Sequence, residues 1–214
     1  MVKKAGKSST ETAATGNIIP PACFTDGGAL PKMMVFDLDY TLWPFWVDTH
    51  VTPPLKANSD HSAAKDRTGE NFAFYREVPS ILFSLQEKAI TVGVASRTHA
   101  PDLGREMLRL LHVTDHDGKK RKSLEFFDHF EIYPGSKITH FNKLQRATGL
   151  RYEDMLFFDD EHRNKEVESL GVTMYLVRDG VSKEEINKGV RDWRKRNGHG
   201  QPIWGYKRAW DGVI

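Results

Sequence analysis

Short apolar runs that alternate with helical stretches are the feature that most constrains the fold of this chain. The first run, Met33–Asp39, is continuously apolar and ends in two acids, which is typical of a strand buried on both faces. Four more strands are predicted, at residues 91–96, 129–134, 155–160 and 172–177. Helices are predicted at residues 78–89, 101–112, 138–149, 164–170 and about 182–196. Such alternation predicts an α/β fold of three αβα layers around a parallel sheet of about five strands.

The two ends of the chain differ in composition from its middle. Residues 1–29 are rich in Lys, Ser, Thr, Ala and Gly with little periodicity, so we expect a disordered tail there. Residues 197–214 are an aromatic-rich second tail. Between the tails we expect one domain, residues 30–196, with a flap or insertion at about 43–76.

Composition excludes several classes of function. A net charge of +2 gives no overall field for nucleic acid or an acidic membrane surface, and no apolar run approaches the ~20 residues of a membrane span. The single cysteine, Cys23, excludes a disulfide framework and a cysteine-based zinc site. The N-terminus has lysines but no apolar segment of a secretory signal. We expect a monomer of the cytoplasm, or also of the nucleus, without nucleic-acid or membrane partners.

Polar residues follow four of the predicted elements at the same edge of the sheet. They are Asp37 and Asp39 after the first strand, Ser96 at the end of the second, Lys137 after the third, and Asp159 and Asp160 at the end of the fourth. Ligands bind at the carboxyl ends of strands in such sheets. Acids gathered in one cleft disfavour each other's ionised form, and a divalent cation resolves that conflict. The cluster therefore predicts Mg²⁺ and phosphate chemistry.

Each of these residues taken alone has a plainer interpretation. An Asp-x-Asp pair also occurs in surface turns and in the metal sites of glycosyltransferases. Asp159 and Asp160 could cap the following helix. Ser96 could be an ordinary strand-end residue, and Lys137 a solvated lysine. The four together, in order at successive strand ends, favour a functional site.

At this point the residues resemble the haloacid dehalogenase (HAD) superfamily. Its four motifs match "MVFDLDYTL", "TVGVAS" with Ser96, Lys137 and "MLFFDD". The chain is most similar to the eukaryotic magnesium-dependent phosphatase-1 branch, through "FDLDYTLWPFWVDTHV", "ASRT", "EIYPGSKITHF", "FFDDEHRN" and "VRDG". The resemblance covers roughly residues 31–196 and implies a Rossmann-like fold and a Mg²⁺-dependent phosphatase.

The resemblance also implies roles for the site residues. Asp37 would be the nucleophile that forms an aspartyl-phosphate, and Asp39 the acid and base, a residue that phosphatases carry and dehalogenases lack. Ser96, Lys137 and the backbone amide of Leu38 would bind the phosphate. Mg²⁺ would be held by Asp37, by the Asp39 backbone carbonyl and by Asp160, with Asp159 beside it.

The segment after the first strand is too short for a large cap domain, so we expect a capless enzyme with a short flap. An open site admits phosphotyrosine or sugar phosphates, including those attached to proteins. Trp43 and Trp46 lie on this segment, and one of the two is expected in the core. Trp46 is our choice for the substrate side, and Arg97 is a second substrate-binding candidate. No catalytic role is assigned to Asp48, His50, His99, His162 or Arg163.

Two other functions stay open at this point. A phosphotransferase or phosphomutase on the same scaffold would need a lid that excludes water from the aspartyl-phosphate. A catalytically silent binding module would be expected to lack Asp37 or Asp39, and both are present.

Overall fold

The computed structural model describes residues 18–200. The strands are β1 (Met33–Phe36), β2 (Lys56–Ala57), β3 (Ala64–Lys65), β4 (Asn71–Phe72), β5 (Thr91–Ser96), β6 (His112–Thr114), β7 (Lys120–Lys122), β8 (His129–Ile132), β9 (Met155–Asp159) and β10 (Thr173–Leu176). The helices are α1 (Val47–His50), α2 (Val78–Glu87), α3 (Pro101–Leu110), α4 (Lys137–Thr148) and α5 (Lys183–Arg196). Short 3-10 segments lie at Ala22–Phe24, Ser123–Phe126, Tyr152–Asp154 and His162–Leu170.

Five parallel strands form the central sheet, in the order β10-β9-β1-β5-β8. The central strand β1 pairs with β5 on one side and β9 on the other, and Phe36 lies opposite Val94 and Phe158. The predicted α/β fold with a parallel sheet of five strands is therefore confirmed. Because β1, β5 and β9 are neighbours in register, the residues after their last positions meet at one edge of the sheet.

Alternate residues of β1 point to opposite sides of the sheet, as strand geometry requires. Met34 and Phe36 belong to one apolar cluster, whereas Met33 and Val35 belong to another that includes Phe141 of α4. All four β1 side chains are fully buried. This explains why the sequence of the strand is continuously apolar.

Helix ends follow the local sequence. The Ser136 side chain accepts a hydrogen bond from the Thr139 N–H at 3.2 Å and caps α4. The same helix ends at Gly149, whose φ of 69° is in the left-handed region that favours glycine. The Ser182 hydroxyl accepts a hydrogen bond from the Glu185 N–H and caps α5. The Ser136 cap fixes the position at which Lys137 begins α4.

Two segments differ in detail from the prediction. The flap segment contains the one-turn helix α1 and a small antiparallel sheet in the order β2-β3-β4. The charged segment at 115–123, where the sequence analysis predicts no strand or helix, contributes β7 to an antiparallel hairpin with β6. The α3 helix accordingly ends at Leu110, two residues before the predicted end.

Residues 18–29 were expected in the N-terminal tail, but they pack on α5. Cys23 and Phe24 are buried. The buried Arg194 guanidinium donates to Asp26 at 2.6 and 2.8 Å and to the Ala29 carbonyl at 2.7 Å. A buried arginine, paired with Asp26, thus holds in place a segment whose sequence shows little hydrophobic periodicity. Residues 1–17 and 201–214, the rest of the two predicted tails, lie outside the described residues.

No helix within residues 18–200 has the length and apolar character needed to cross a membrane.

Candidate active site

A buried lysine lies between two aspartates at the carboxyl edge of the sheet. Lys137 Nζ is 2.7 Å from Asp37 Oδ1 and 3.0 Å from Asp159 Oδ2, and it also donates to the Ala95 carbonyl. Burial opposes the charge of the Lys137 ammonium, but the carboxylates of Asp37 and Asp159 outweigh it and raise the lysine pKa. The cluster therefore combines two carboxyl groups with one ammonium, and burial together with the neighbouring Asp159 raises the pKa of Asp37 well above its ordinary value.

Strand alternation explains why Asp37 and Asp159 meet Lys137. Asp37 continues the β1 face of Met33 and Val35, and Asp159 continues the β9 face of Met155 and Phe157. Those apolar side chains belong to the cluster that packs on α4. Both carboxylates thus point toward the helix whose first residue is Lys137.

The Asp159 carboxylate is fully buried and does not line the cleft. Asn164 Nδ2 lies 2.9 Å from each of its oxygens, and the Glu161 N–H donates to Oδ1 at 2.7 Å. Lys137 is a further partner of this carboxylate, so most of its hydrogen-bonding capacity is used by the protein itself. Asp159 was expected beside Asp160 among the metal ligands, but the structure gives it protein partners instead. Asn164 was missed by the sequence analysis, although it stands at the end of "FFDDEHRN".

Asp160 lines the cleft next to Asp37 and Asp39. Burial and the neighbouring Asp159 carboxylate raise the pKa of Asp160 to about 6. Among the ion pairs of residues 18–200, none involves Asp160. It is therefore an acid in the cleft without a basic partner from the described part of the chain.

Asp39 lies two residues beyond Asp37, at the entrance to the flap. Its Oδ1 accepts hydrogen bonds from Trp43 Nε1 at 2.7 Å and from the Val47 N–H at 3.1 Å. Burial raises the pKa of Asp39 to about 6, against the lowering effect of these two bonds. A carboxyl group with this pKa can hold or release a proton near neutral pH.

Ser96 ends β5, and its side chain is almost fully buried at the floor of the cleft. Its Oγ accepts from the Thr98 N–H at 3.4 Å. The next residue, Arg97, also lines the cleft and donates to Asn164 Oδ1 at 3.2 Å. The Leu38 side chain is buried, so this residue can reach a ligand only through its backbone.

The two tryptophans occupy different environments. Trp43 is fully buried and stacks on Phe45 with ring centroids 5.3 Å apart. Trp46 is 49% exposed, lines the cleft and packs edge-on against Tyr40 at 5.2 Å. The expectation that one tryptophan would lie in the core is met by Trp43.

The residues at the strand ends surround a cleft of about 470 Å³. It is lined by Asp37, Asp39, Trp46, Asp48, Thr49, Ser96, Arg97, Thr98, His99, Pro134, Gly135, Lys137, Asp160, Glu161, Arg163 and Asn164. Of the polar residues without an assigned role, Asp48 accepts from the His99 N–H at 3.2 Å, and Arg163 pairs with Glu161. His50 stacks on Trp46, and His162 does not line the cleft.

Comparison with known proteins identifies the family. The acid phosphatase family model matches residues 29–196. Human magnesium-dependent phosphatase 1 is 44% identical over 167 residues, which are 78% of this chain and 89% of the human protein. A HAD-like hydrolase superfamily protein of Schizosaccharomyces pombe is 42% identical over 171 residues, 79% of this chain and 96% of that protein.

Among solved structures, the phosphatase-containing N-terminal part of a Bacteroides fragilis protein, complexed with Mg, is 15% identical with a TM-score of 0.47. The match covers 85% of this chain and 43% of that one, and a likeness at this level says nothing about function. The family model and the two relatives described above show the family without this structure. The chain belongs to the acid phosphatase family, and it is a phosphatase of the haloacid dehalogenase superfamily.

Proposed function

We propose that the chain is a Mg²⁺-dependent phosphatase that hydrolyses phosphate monoesters through an aspartyl-phosphate on Asp37. The observation that carries this proposal is the placement of Asp37, which lines the cleft while its Oδ1 binds Lys137 at 2.7 Å. A carboxylate held in this way by a buried cation presents its other oxygen to a phosphoryl group. The human relative is named a magnesium-dependent phosphatase.

The side chains fit Mg²⁺ better than a metal that needs a complete protein cage. Within residues 18–200, no three His, Cys, Asp or Glu side chains are grouped as a ready metal site. Mg²⁺ takes one or two carboxylates and completes its octahedron with waters and substrate phosphate. Asp37 and Asp160, with the Asp39 backbone carbonyl, would hold it, and Asp159 stays with Lys137. The raised pKa of Asp37 reflects the cost of ionising acids that lie close together in a buried site, and a bound cation would offset that cost.

The chain's own residues supply the remaining chemistry. Asp37 attacks phosphorus, which splits one displacement into two steps. Asp39 gives a proton to the leaving oxygen and then takes one from the water that hydrolyses the aspartyl-phosphate. Ser96 and the backbone N–H of Leu38 donate to the phosphoryl oxygens, and Lys137 neutralises their charge. Bound Mg²⁺ would supply charge neutralisation at the phosphoryl group.

The cleft wall suggests the substrate class. Trp46 is exposed at the rim, with Tyr40 and His50 packed against it. A flat aromatic surface beside a phosphate site suits the ring of phosphotyrosine or the apolar face of a sugar phosphate. Arg97, anchored on Asn164, is within the same cleft and would contact the phosphate or its neighbour. The proposed substrates include a phosphate attached to a protein. The proposed location of the enzyme is the cytoplasm or the nucleus.

The test is a turnover screen over a phosphotyrosine peptide, a phosphoserine peptide and sugar phosphates, with Mg²⁺ and with chelator. We expect phosphate release that chelator abolishes and Mg²⁺ restores. Asp37→Asn should lose at least about 10³-fold in kcat, because no nucleophile remains. Activity that survives chelation would remove the metal from the proposal. Transfer of the phosphoryl group to an added alcohol or sugar in preference to water would favour a phosphotransferase.

A further inference from the structure

The two oxygens of the Asp39 carboxyl have different surroundings. Oδ1 accepts two hydrogen bonds, from Trp43 Nε1 at 2.7 Å and from the Val47 N–H at 3.1 Å. No other hydrogen bond to this carboxyl is formed by residues 18–200, so Oδ2 has no partner in the described part of the protein. Because Asp39 lines the cleft, Oδ2 is the oxygen available to a ligand there.

Trp43 is itself held rigidly. Its side chain is fully buried and stacks on Phe45 and on Phe74, with ring centroids 5.3 and 6.0 Å apart. Its backbone N–H donates to the Leu38 carbonyl at 3.4 Å, which ties it to the turn that carries Asp39. A buried indole N–H requires an acceptor, and Asp39 is the acceptor here. The indole, together with the Val47 N–H, therefore sets the rotation of the carboxyl group, which is otherwise a soft torsion.

This contact determines which oxygen can carry a proton. A hydrogen on Oδ1 would point at two N–H donors, whereas a hydrogen on Oδ2 meets no donor within the described residues. We propose that Trp43 is a positioning residue of the phosphatase reaction, which directs Oδ2 of Asp39 to the leaving oxygen. The inference rests on the proposed role of Asp39 as general acid.

The proton balance of the two steps follows from this arrangement. As the bond from Asp37 to phosphorus forms and the ester P–O bond breaks, the proton on Asp39 Oδ2 passes to the departing oxygen and gives a neutral alcohol. In the second step, water attacks phosphorus, the Asp37–phosphorus bond breaks, and the water proton returns to Oδ2. The enzyme ends in its starting state, and Oδ1 remains an acceptor throughout.

The test compares kcat/KM for two monoesters that differ in their need for a proton. An alkyl phosphate needs protonation of its leaving oxygen, whereas an aryl phosphate with an electron-withdrawing group needs little. Trp43→Phe keeps an aromatic ring on Phe45 but removes the N–H. A second variant carries benzothienylalanine at position 43, in which sulfur replaces the indole N–H with almost unchanged shape. We expect both to lose about 10- to 100-fold on the alkyl substrate and less than about 3-fold on the aryl substrate.

Two controls separate the possible failures. Trp193→Phe removes another buried indole donor, whose Nε1 binds the Glu153 carbonyl at 2.7 Å, and it should change both substrates by less than about 2-fold. Asp39→Asn should show a larger alkyl-specific loss than either position-43 variant. Equal losses on both substrates for the position-43 variants, or none, would overturn the positioning role while Asp39→Asn still discriminates. If Asp39→Asn itself does not discriminate, the general-acid role fails, and the inference fails with it.

Discussion

Lys137 Nζ lies 2.7 Å from Asp37 Oδ1, although the two residues are 100 positions apart in the sequence. The contact joins the start of α4 to the end of the central strand, and the same ammonium reaches Asp159 at 3.0 Å. A buried cation between two buried carboxylates is costly to break, because each remaining charge loses its partner. We therefore expect this relationship to serve both the stability of the fold and the phosphate chemistry proposed for the cleft.

Removal of this ammonium should affect stability and activity together. Lys137→Met leaves Asp37 and Asp159 facing each other in a buried site, so we expect a loss of about 3–5 kcal/mol in the free energy of unfolding. The kcat should also fall by at least about 10²-fold, since the phosphoryl charge loses a neutralising group. Urea denaturation in chelator and steady-state kinetics with Mg²⁺ measure the two effects separately.

The matched control is Lys143→Met, at a position six residues further along α4. Lys143 is exposed and lies 3.8 Å from Glu131, so its loss should cost less than about 1 kcal/mol. Adding Asp159→Asn to Lys137→Met should recover part of the lost stability without restoring turnover. Equal unfolding free energies for the Lys137 and Lys143 variants would contradict the account of the buried cluster.

Trp46 should affect substrate choice without contributing much to stability. Trp46→Ala removes the exposed wall of the cleft, and we expect a loss of about 3- to 10-fold in kcat/KM for aryl and sugar phosphates. Ethyl phosphate, which has no ring or apolar face to stack, should change less than about 2-fold. Leu176→Ala truncates another exposed apolar side chain, one outside the cleft, and should leave all substrates unaffected. A uniform loss for all three substrates would argue against a role in recognition.

The dependence of stability on pH should carry a contribution from His140. This side chain is fully buried, and burial together with the Lys137 charge lowers its pKa to about 4 from an ordinary value of 6.5. The unfolded chain therefore takes up a proton at His140 before the folded protein does. The contribution is present above pH 6.5 and is lost as the pH falls toward 4, up to about 3 kcal/mol.

The comparison that isolates this effect is between the natural protein and His140→Gln. His140 Nε2 lies 3.1 Å from the Tyr133 carbonyl, and a glutamine amide can keep a donor there. Urea denaturation at several pH values should give the variant a shallower fall in unfolding free energy below pH 6.5. Parallel curves for the two proteins would show that His140 does not contribute.

The sheet and most of the site could be predicted from the sequence, because both depend on short patterns of neighbouring residues. Continuous apolar runs mark strands buried on both faces, and parallel order brings Asp37, Ser96, Lys137 and Asp160 to one edge. The separate environments of Asp159 and Asp160 were not predictable in the same way, since adjacent carboxylates look alike in a sequence. Their difference follows from strand alternation, which turns Asp159 toward α4 and leaves Asp160 in the cleft.

Other features depend on tertiary contacts that leave no pattern in the chain. The donation from Trp43 to Asp39 spans only four positions, but it depends on the packing of the indole against Phe45 and Phe74. The β7 strand consists only of Lys and Arg residues, so its sequence lacks the alternation of apolar and polar residues that is typical of a half-buried strand. The N-terminal segment is ordered by Arg194, which is 168 positions away from Asp26.

The central claim is that Asp37 forms the covalent aspartyl-phosphate, and chemical trapping tests it most directly. Borohydride reduces an acyl phosphate to an alcohol, so a phosphorylated aspartate becomes homoserine that peptide mass spectrometry can locate. In reactions quenched during turnover with Mg²⁺, we predict homoserine at position 37 and intact aspartate at 39, 159 and 160. Turnover without homoserine at position 37, or with homoserine at another aspartate, would contradict the account.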